Sequence, residues 1–234
     1  MPRSRSEQQA GADREVARTR VWRAAVELFA AKGFHGTGIR ELADAAGLSS
    51  ASLYHYMGSK DDLLFGIMRH SLLRLGAAAQ RVSERTAEPG ERIAGLVHVH
   101  VLSHALYPDE TAVVDHELRA LGPEHRKAAV ALRDSYEDYW RRAVADGCDT
   151  GLFHAPERSV VRIALLEMCS AVAGWYAPGG PLGLDEIAAA HARMALAALG
   201  APPEVQRAPF VTDVSHARRL VEEIWQVALP PGRA

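Results

Sequence analysis

Nearly every segment between glycine or proline breakers in this 234-residue chain repeats its apolar residues at helical spacing. No run of alternating apolar and polar residues is long enough for a strand. The spacing predicts helices over residues 15–32, 39–46, 50–56, 60–86, 91–106, 110–121, 124–146, 157–176, 184–199 and 213–228. We therefore predict an all-α fold.

The charges are unevenly distributed along the chain. The net charge is −2, yet residues 1–60 carry nine Lys and Arg against six Asp and Glu, and the remainder carries 18 against 23. A basic head on an acidic body indicates that only the head meets phosphate. The polar start and the charges within the apolar runs predict neither a signal peptide nor a membrane partner. Because Cys148 and Cys169 match no metal or redox spacing, we expect reduced thiols in the cytoplasm.

Residues 14–60 contain the capping and turn residues expected of three helices joined by short turns. The first helix closes at Gly33, the second ends at Gly47, and Ser49 is placed to cap the third. Two short helices joined by a glycine turn form the unit that places its second helix in the DNA major groove. The segment therefore predicts a helix-turn-helix.

The third helix separates its residues by face. Leu53 and Tyr56 should pack inward, while Tyr54 and His55 face outward and can donate to phosphates or base edges. We expect Lys60 to meet the adjoining DNA backbone. A solvated helix face followed by a polar turn is the alternative. The predicted DNA-binding residues are Arg18, Thr37, Ser49, Ser50, Ala51, Ser52, Tyr54, His55 and Lys60.

A longer pattern surrounds these residues. It comprises Ala-Ala-x-x-Leu-Phe, then Gly-Phe-x-x-Thr, then Ile-x-x-Leu-Ala-x-x-Ala-Gly-Leu-Ser, and finally Leu-Tyr-x-Tyr followed by Ser-Lys-x-x-Leu. Residues 17–65 thereby resemble the helix-turn-helix of TetR-type bacterial transcriptional regulators. The sequence departs from that family at Gly38, Met57 and Gly58, and Ser50 and Ala51 lack the usual Lys or Arg. The resemblance implies a repressor that binds double-stranded operator DNA as a homodimer.

The resemblance also divides the chain. It implies a disordered basic arm over residues 1–13, the DNA-binding domain over 14–60 and a helical effector-binding and dimerisation domain over 61–200. Residues 201–234 form an extension whose further helix caps either the body or the partner subunit. In the family the last two body helices make a four-helix dimer interface, which here comprises Ala164, Ala171, Gly174, Trp175, Ala188, His191, Ala192 and Ala195. Packing within the monomer is the alternative for these small residues.

Residues 91–106 are apolar almost all round and should run through the middle of the body. His100 and His104 lie one helical turn apart on this segment. They could be core histidines with satisfied hydrogen bonds, pocket residues or metal ligands, but no third ligand is apparent and we predict no metal. The predicted effector pocket comprises Met68, Leu72, His100, His104, Tyr136, Tyr139, Trp140 and Met168, with plain core packing as the alternative.

The effector itself is suggested by the stretch GWYAPGGPLGLDEIA over residues 174–188. It resembles the same region of TetR-type regulators of lipid and sterol catabolism that sense acyl-coenzyme A thioesters. The resemblance implies a small hydrophobic effector such as an acyl-CoA, and a drug or antibiotic remains the alternative. An enzyme is the rival class. Since no nucleophile elbow, phosphate-binding glycine loop or supported carboxylate pair is present, we expect no catalytic residues and no cofactor.

Overall fold

A computed structural model describes residues 5–229, with side chains from residue 13 onward, and this range contains only helices and their connections. The helices are α1 (Arg5–Gly36), α2 (Ile39–Ala46), α3 (Ser50–Met57), α4 (Lys60–Arg85), α5 (Pro89–Leu106), α6 (Pro108–His116), α7 (Pro123–Asp149), α8 (Arg158–Ser170), α9 (Val172–Trp175), α10 (Leu184–Ala198), α11 (Pro203–Gln206), α12 (Pro209–Thr212) and α13 (Ser215–Trp225), with a 3-10 turn at Leu118–Ala120. The all-α prediction is confirmed. No helix in the described range is both long and apolar enough to span a membrane.

The chain forms two compact units. Unit 1 consists of the residues up to Ser71 together with Asp109–Val130, and unit 2 consists of Leu72–Pro108 and the residues from Ala131 onward. The helices α4 and α7 therefore each contribute residues to both units.

The helix boundaries differ from prediction by one to three residues in several helices, two short helices (α11 and α12) were not predicted, and larger differences occur at three places. The helix α1 begins at Arg5, so residues 5–13 are helical rather than part of a disordered arm. Six of these nine residues are good helix formers (one Arg, one Glu, two Gln and two Ala), which accounts for the extension. Residues 1–4 of the predicted arm lie outside the described residues. The predicted helices 110–121 and 157–176 are each divided, the first at Glu117 and the second at Ala171.

Unit 2 is built around α5, as its apolar composition predicted. Residues on all faces of α5 are buried, including Leu96, Val99 and Leu102 at 1% exposure or less. The helices α8, α10 and α13 pack against it. The capping residue Glu88 accepts hydrogen bonds from Gly90 N and Glu91 N, which fixes the start of the helix.

The C-terminal extension completes this core. Val211, Leu220 and Val221 are buried among the residues that surround α5, and His98 Nε2 lies 3.1 Å from the Val211 carbonyl oxygen. An ion pair of 2.6 Å joins Arg218 on α13 to Asp185 on α10. The extension therefore packs on the body of its own chain.

Candidate functional site

The helix α3 is held on unit 1 by one buried face and a well-defined start. Gly47 ends α2 in the left-handed region at φ 66°, and Ser49 then caps α3, its hydroxyl accepting a hydrogen bond from Ser52 N at 3.1 Å. Leu53 and Met57 are buried. The predicted cap and corner are confirmed, although Met57 rather than Tyr56 supplies the second buried residue.

The opposite face of α3 is open to solvent. Ala51, Ser52 and His55 are exposed, and Tyr54 is 51% exposed. Ser50, at the start of the helix, is half-buried. Small residues at the helix start permit close approach to another surface, and the phenol and imidazole beyond them can donate or accept hydrogen bonds. Arg18, on α1, is also exposed.

Thr37 does not belong to this exposed surface. It is 1% exposed, and its hydroxyl donates toward Gly33 O at 2.9 Å and Leu28 O at 3.2 Å. Gly33 adopts φ 74°, which interrupts α1 and leaves carbonyl groups without helical donors. The geometry does not support the predicted DNA contact of Thr37, because its side chain satisfies the end of α1.

Lys60 is likewise turned inward. Its ammonium donates hydrogen bonds to Phe34 O at 2.7 Å and Thr37 O at 2.8 Å, and lies 4.2 Å from the centre of the Phe34 ring. Burial lowers the pKa of Lys60. Because two of the three ammonium hydrogens are engaged by carbonyl oxygens, Lys60 clamps the residues after Gly33, and this geometry does not support the predicted phosphate contact.

The corner after α3 connects it to the start of α4. Gly58 lies at φ 69°, and Asp62 then accepts hydrogen bonds from Ser59 N at 2.9 Å and Ser59 Oγ at 2.7 Å, which lower the pKa of Asp62. Asp61 accepts from Gly122 N at 2.8 Å and lies 2.5 Å from His125 Nδ1. The start of α7 is thus fixed to the first turn of α4.

Unit 2 contains an open groove of about 670 Å³ between α4 and α7. Three predicted pocket residues, Leu72, Tyr136 and Tyr139, line it. The remaining lining residues were missed from the sequence and are Leu73, Gly76, Ala77, Gln80, Leu132, Asp134, Ser135, Asp138 and Arg142. A β-carbon added at Gly76 would meet no atom within 4 Å, so this glycine faces open space. The adjacent small residues Gly76 and Ala77 were the available sequence signal for the groove.

The other predicted pocket residues lie elsewhere. Met68 is fully buried in unit 1, whereas His100, His104 and Trp140 are buried in the unit 2 core and Met168 packs partly buried against it. These five residues do not line the groove. Their burial within the two units favours the core-packing alternative over a place in this groove.

The two histidines of α5 form a buried stack. The rings of His100 and His104 are 3.7 Å apart and nearly parallel. His100 Nδ1 lies 2.7 Å from Tyr136 Oη, and Nε2 lies 3.0 Å from Ser170 Oγ. Burial lowers the pKa of His104 to about 4 and that of His100 well below its usual value. Both rings are therefore neutral at physiological pH, as core histidines with hydrogen-bond partners. Among the described residues no three His, Cys, Asp or Glu side chains are grouped to hold a metal ion.

The predicted dimer residues separate into two sets. Ala188, His191, Ala192 and Ala195 on α10 are buried in the monomer, mainly against α5, so their interface assignment is wrong. Small residues permit close helix packing, but here the partner helix belongs to the same chain. Ala164, Ala171, Gly174 and Trp175 are exposed. The same part of the sequence contains large apolar side chains that are 46–63% exposed. We call these residues the apolar face; they are Val160, Ile163, Trp175, Leu182 and Met194.

Known proteins share both the head and the body of this architecture. Residues 22–67 match the family model for bacterial regulatory proteins of the tetR family, and residues 86–199 match a tetracyclin repressor-like C-terminal domain. The TetR-family regulator PfmR from Thermus thermophilus is 31% identical with a TM-score of 0.68, over 76% of this chain and 97% of that chain. This chain belongs to the TetR family. It is a DNA-binding transcriptional regulator.

Two further relatives bear on the kind of regulator. The transcriptional repressor KstR2 of Mycobacterium tuberculosis is 28% identical over 166 residues, which are 70% of this chain and 82% of that protein. The structure of AibR in complex with isovaleryl coenzyme A and operator DNA is 26% identical with a TM-score of 0.69, over 76% of this chain and 97% of that chain. The TetR resemblance predicted from the helix-turn-helix motif is confirmed.

The clamp at Lys60 predicts that Lys60→Ala lowers the thermal midpoint of unfolding. The change removes the ammonium donor shared by the Phe34 and Thr37 carbonyls, a loss of about 1–3 kcal/mol, although Phe34 O keeps its bond from Thr37 N. Lys32→Ala is the matched control, because Lys32 is 52% exposed in its ion pair with Glu41 and such pairs contribute little. Thermal scans of both variants measure the difference. If Lys60→Ala instead keeps its midpoint and reduces the salt slope of DNA binding by about one unit, Lys60 acts on phosphate.

Proposed function

We propose that the protein is a cytoplasmic repressor that binds its operator as a homodimer and leaves it when a small hydrophobic effector, an acyl-CoA thioester, occupies the groove between α4 and α7. The observation that carries this proposal is that one face of α3 is exposed while the opposite face is buried against the rest of unit 1. A helix-turn-helix with this arrangement reads a half-site in the major groove.

Sequence reading rests on few side chains. Tyr54 and His55 are the exposed hydrogen-bonding residues in the middle of α3, and Ala51 and Ser52 allow close approach. The helix carries no Lys or Arg, so phosphate contacts come from other elements, with Arg18 on α1 as the first candidate. Ser49, although exposed, uses its hydroxyl within the helix cap.

The apolar face supports dimerisation. Five large apolar side chains between residues 160 and 194 are exposed, and exposed apolar surface of this kind marks interaction surfaces when it is contiguous. A second copy of the chain is the occupant we propose, because one helix-turn-helix reads one half-site and a two-fold dimer reads a palindromic operator. The exposed residues Ala164, Ala171, Gly174 and Trp175 belong to this surface.

The effector proposal draws on the groove and on the relatives. Leucines line part of the groove, which suits an apolar chain. The polar part includes Tyr136, Tyr139 and an ion pair of 2.6 Å between Arg142 and Asp138, with Asp134 nearby in the lining, and suits a polar group that can hydrogen-bond. AibR is crystallised with isovaleryl coenzyme A, and KstR2 is described as a ketosteroid regulator. A groove of about 670 Å³ accommodates an acyl chain with its thioester, and the open side leaves the nucleotide of coenzyme A in solvent. A drug-like effector is the competing outcome.

Tyr54→Ala should weaken operator binding about 10- to 100-fold while leaving the helical content and the oligomeric state unchanged, because it removes a base or phosphate contact without touching the core. The operator is first obtained by selection from random DNA, and affinities are measured by fluorescence anisotropy. Tyr54→Phe is the control that separates the hydroxyl from the ring. An unchanged affinity of Tyr54→Ala would exclude α3 as the recognition helix.

Ile163→Arg should convert the dimer into monomers, because it places an unpaired charge within the apolar face. Val16→Arg is the matched control, since Val16 is 60% exposed but lies on α1, outside the apolar face. Light scattering coupled to size exclusion reports the mass of each variant. A dimer that survives Ile163→Arg and dissociates in Val16→Arg would place the interface on the head.

Gly76→Leu should abolish operator release by decanoyl-CoA while preserving operator affinity, because Gly76 faces open space and the leucine side chain would occupy part of the groove. Gly76→Ala is the control, as its methyl group meets no atom within 4 Å and leaves most of the groove open. Release is followed by anisotropy against isovaleryl-, decanoyl- and steroid-derived CoA thioesters and against a set of aromatic antibiotics. Release by antibiotics alone would replace the acyl-CoA assignment, and undiminished release from Gly76→Leu would place the effector outside this groove.

A further inference from the structure

Tyr136 connects the groove to the interior of unit 2. Its side chain lines the groove and is 4% exposed, and its hydroxyl lies 2.7 Å from His100 Nδ1. The other nitrogen of the same ring lies 3.0 Å from Ser170 Oγ. A continuous hydrogen-bond chain thus runs from the groove wall on α7, through α5, to the last residue of α8.

The donors and acceptors along this hydrogen-bond chain are linked, because His100 is neutral. A neutral imidazole has one N–H donor and one acceptor nitrogen. If Tyr136 donates its proton to Nδ1, then Nε2 donates to Ser170, and the opposite holds when Nδ1 carries the proton. The state of Tyr136 therefore determines which role is left for Ser170, and His104, stacked on His100 at 3.7 Å, restricts movement of the ring.

The surroundings of Tyr136 favour a protonated phenol. Burial raises the pKa of Tyr136 well above its usual value, and the nearby indole N–H of Trp140 opposes this rise. That indole N–H is buried and makes no hydrogen bond of regular geometry. The phenol thus keeps one proton to donate, and a strong acceptor in the groove would compete for it with His100.

We propose that Tyr136 recognises a hydrogen-bond acceptor of the effector, the thioester carbonyl oxygen of an acyl-CoA, and that His100 couples this contact to Ser170 at the end of α8. The inference rests on the proposed function, because it takes the groove as the effector site. When Tyr136 donates to the thioester, His100 Nδ1 loses its donor inside the core, where an unsatisfied nitrogen is costly. The His100–Ser170 contact then has to rearrange.

Ser170, where the hydrogen-bond chain ends, is close in sequence to residues of the apolar face. Ser170 is followed by Ala171, where α8 ends and α9 begins. The helix α8 carries Ile163, and α9 ends at Trp175, and both residues belong to the apolar face. A rearrangement at Ser170 therefore acts on the segment that positions both residues.

Tyr139 offers an internal comparison. It lines the same groove but is not part of the His100 hydrogen-bond chain. Tyr139→Phe and Tyr136→Phe each remove one oxygen atom from the groove wall. Only the second change interrupts the connection to Ser170.

The test compares decanoyl-CoA with S-decyl-CoA, a thioether of equal chain length that lacks the carbonyl. We expect decanoyl-CoA to release the operator from the unaltered protein at about tenfold lower concentration, the scale of one buried hydrogen bond. Tyr136→Phe should reduce this ratio to about twofold or less, whereas Tyr139→Phe should retain it. Ser170→Ala should bind decanoyl-CoA in the absence of DNA as the unaltered protein does, yet need about three- to tenfold more of it for operator release.

A spectroscopic measurement separates coupling from simple loss of structure. Nitrogen chemical shifts of the His100 ring report which nitrogen carries the proton, and saturating decanoyl-CoA should change them while S-decyl-CoA should not. Equal release by the two compounds, with identical behaviour of Tyr136→Phe, would overturn the role of Tyr136 and leave the effector groove intact. Failure of both compounds to bind or release the unaltered protein would instead overturn the acyl-CoA assignment and this inference with it.

Discussion

The burial of α5 on every side is the constraint on which unit 2 depends. Its backbone satisfies itself as a helix, but His98, His100 and His104 can be buried only where partners accept or donate hydrogen bonds. Val211, Tyr136 and Ser103 supply them from α12, α7 and α5 itself. The position of α5 therefore fixes where the surrounding helices lie, including the extension beyond α10, whose apolar residues complete the cover. Without that extension the apolar surface of α5 would lose part of its protection from water.

The helices of the head could be predicted from the sequence because their starts and ends depend on neighbouring residues. The predictions for Thr37 and Lys60 missed contacts with residues that are distant along the chain. Gly47 and Ser49 act on adjacent residues, so the second and third helices were predicted to within one residue of their observed bounds. Thr37 and Lys60 looked like DNA contacts because they are polar residues beside a recognition helix. Their actual partners are carbonyl oxygens freed where Gly33 interrupts α1, and no periodicity in the sequence shows that those carbonyls point toward Lys60.

In the body, periodicity identified close packing without identifying the partner. The alanines at 188, 192 and 195 lie on one face of α10, and that face is covered by α5 rather than by a second subunit. The same ambiguity placed the histidines of α5 in the pocket. The residues that do remain exposed, Ile163 and Trp175 among them, are large and apolar on helices whose other sides are already buried. A sequence shows that such a helix has two apolar sides, but only the tertiary structure shows which of them the chain itself covers.

Release of DNA by an effector requires that effector binding supply enough coupling free energy. An effector must favour the DNA-incompetent state by roughly 1–3 kcal/mol, while one hydrogen bond at Tyr136 contributes about 0.5–1.5 kcal/mol. In the proposed mechanism the remainder comes from apolar contact of the acyl chain with Leu72 and Leu73, at about 25 cal/mol per Å². These leucines lie on α4, whose first turn carries Asp61, bound to His125 at the start of α7. The helices α4 and α7 line the groove with their unit 2 residues, and Asp61 and His125 join the same two helices within unit 1.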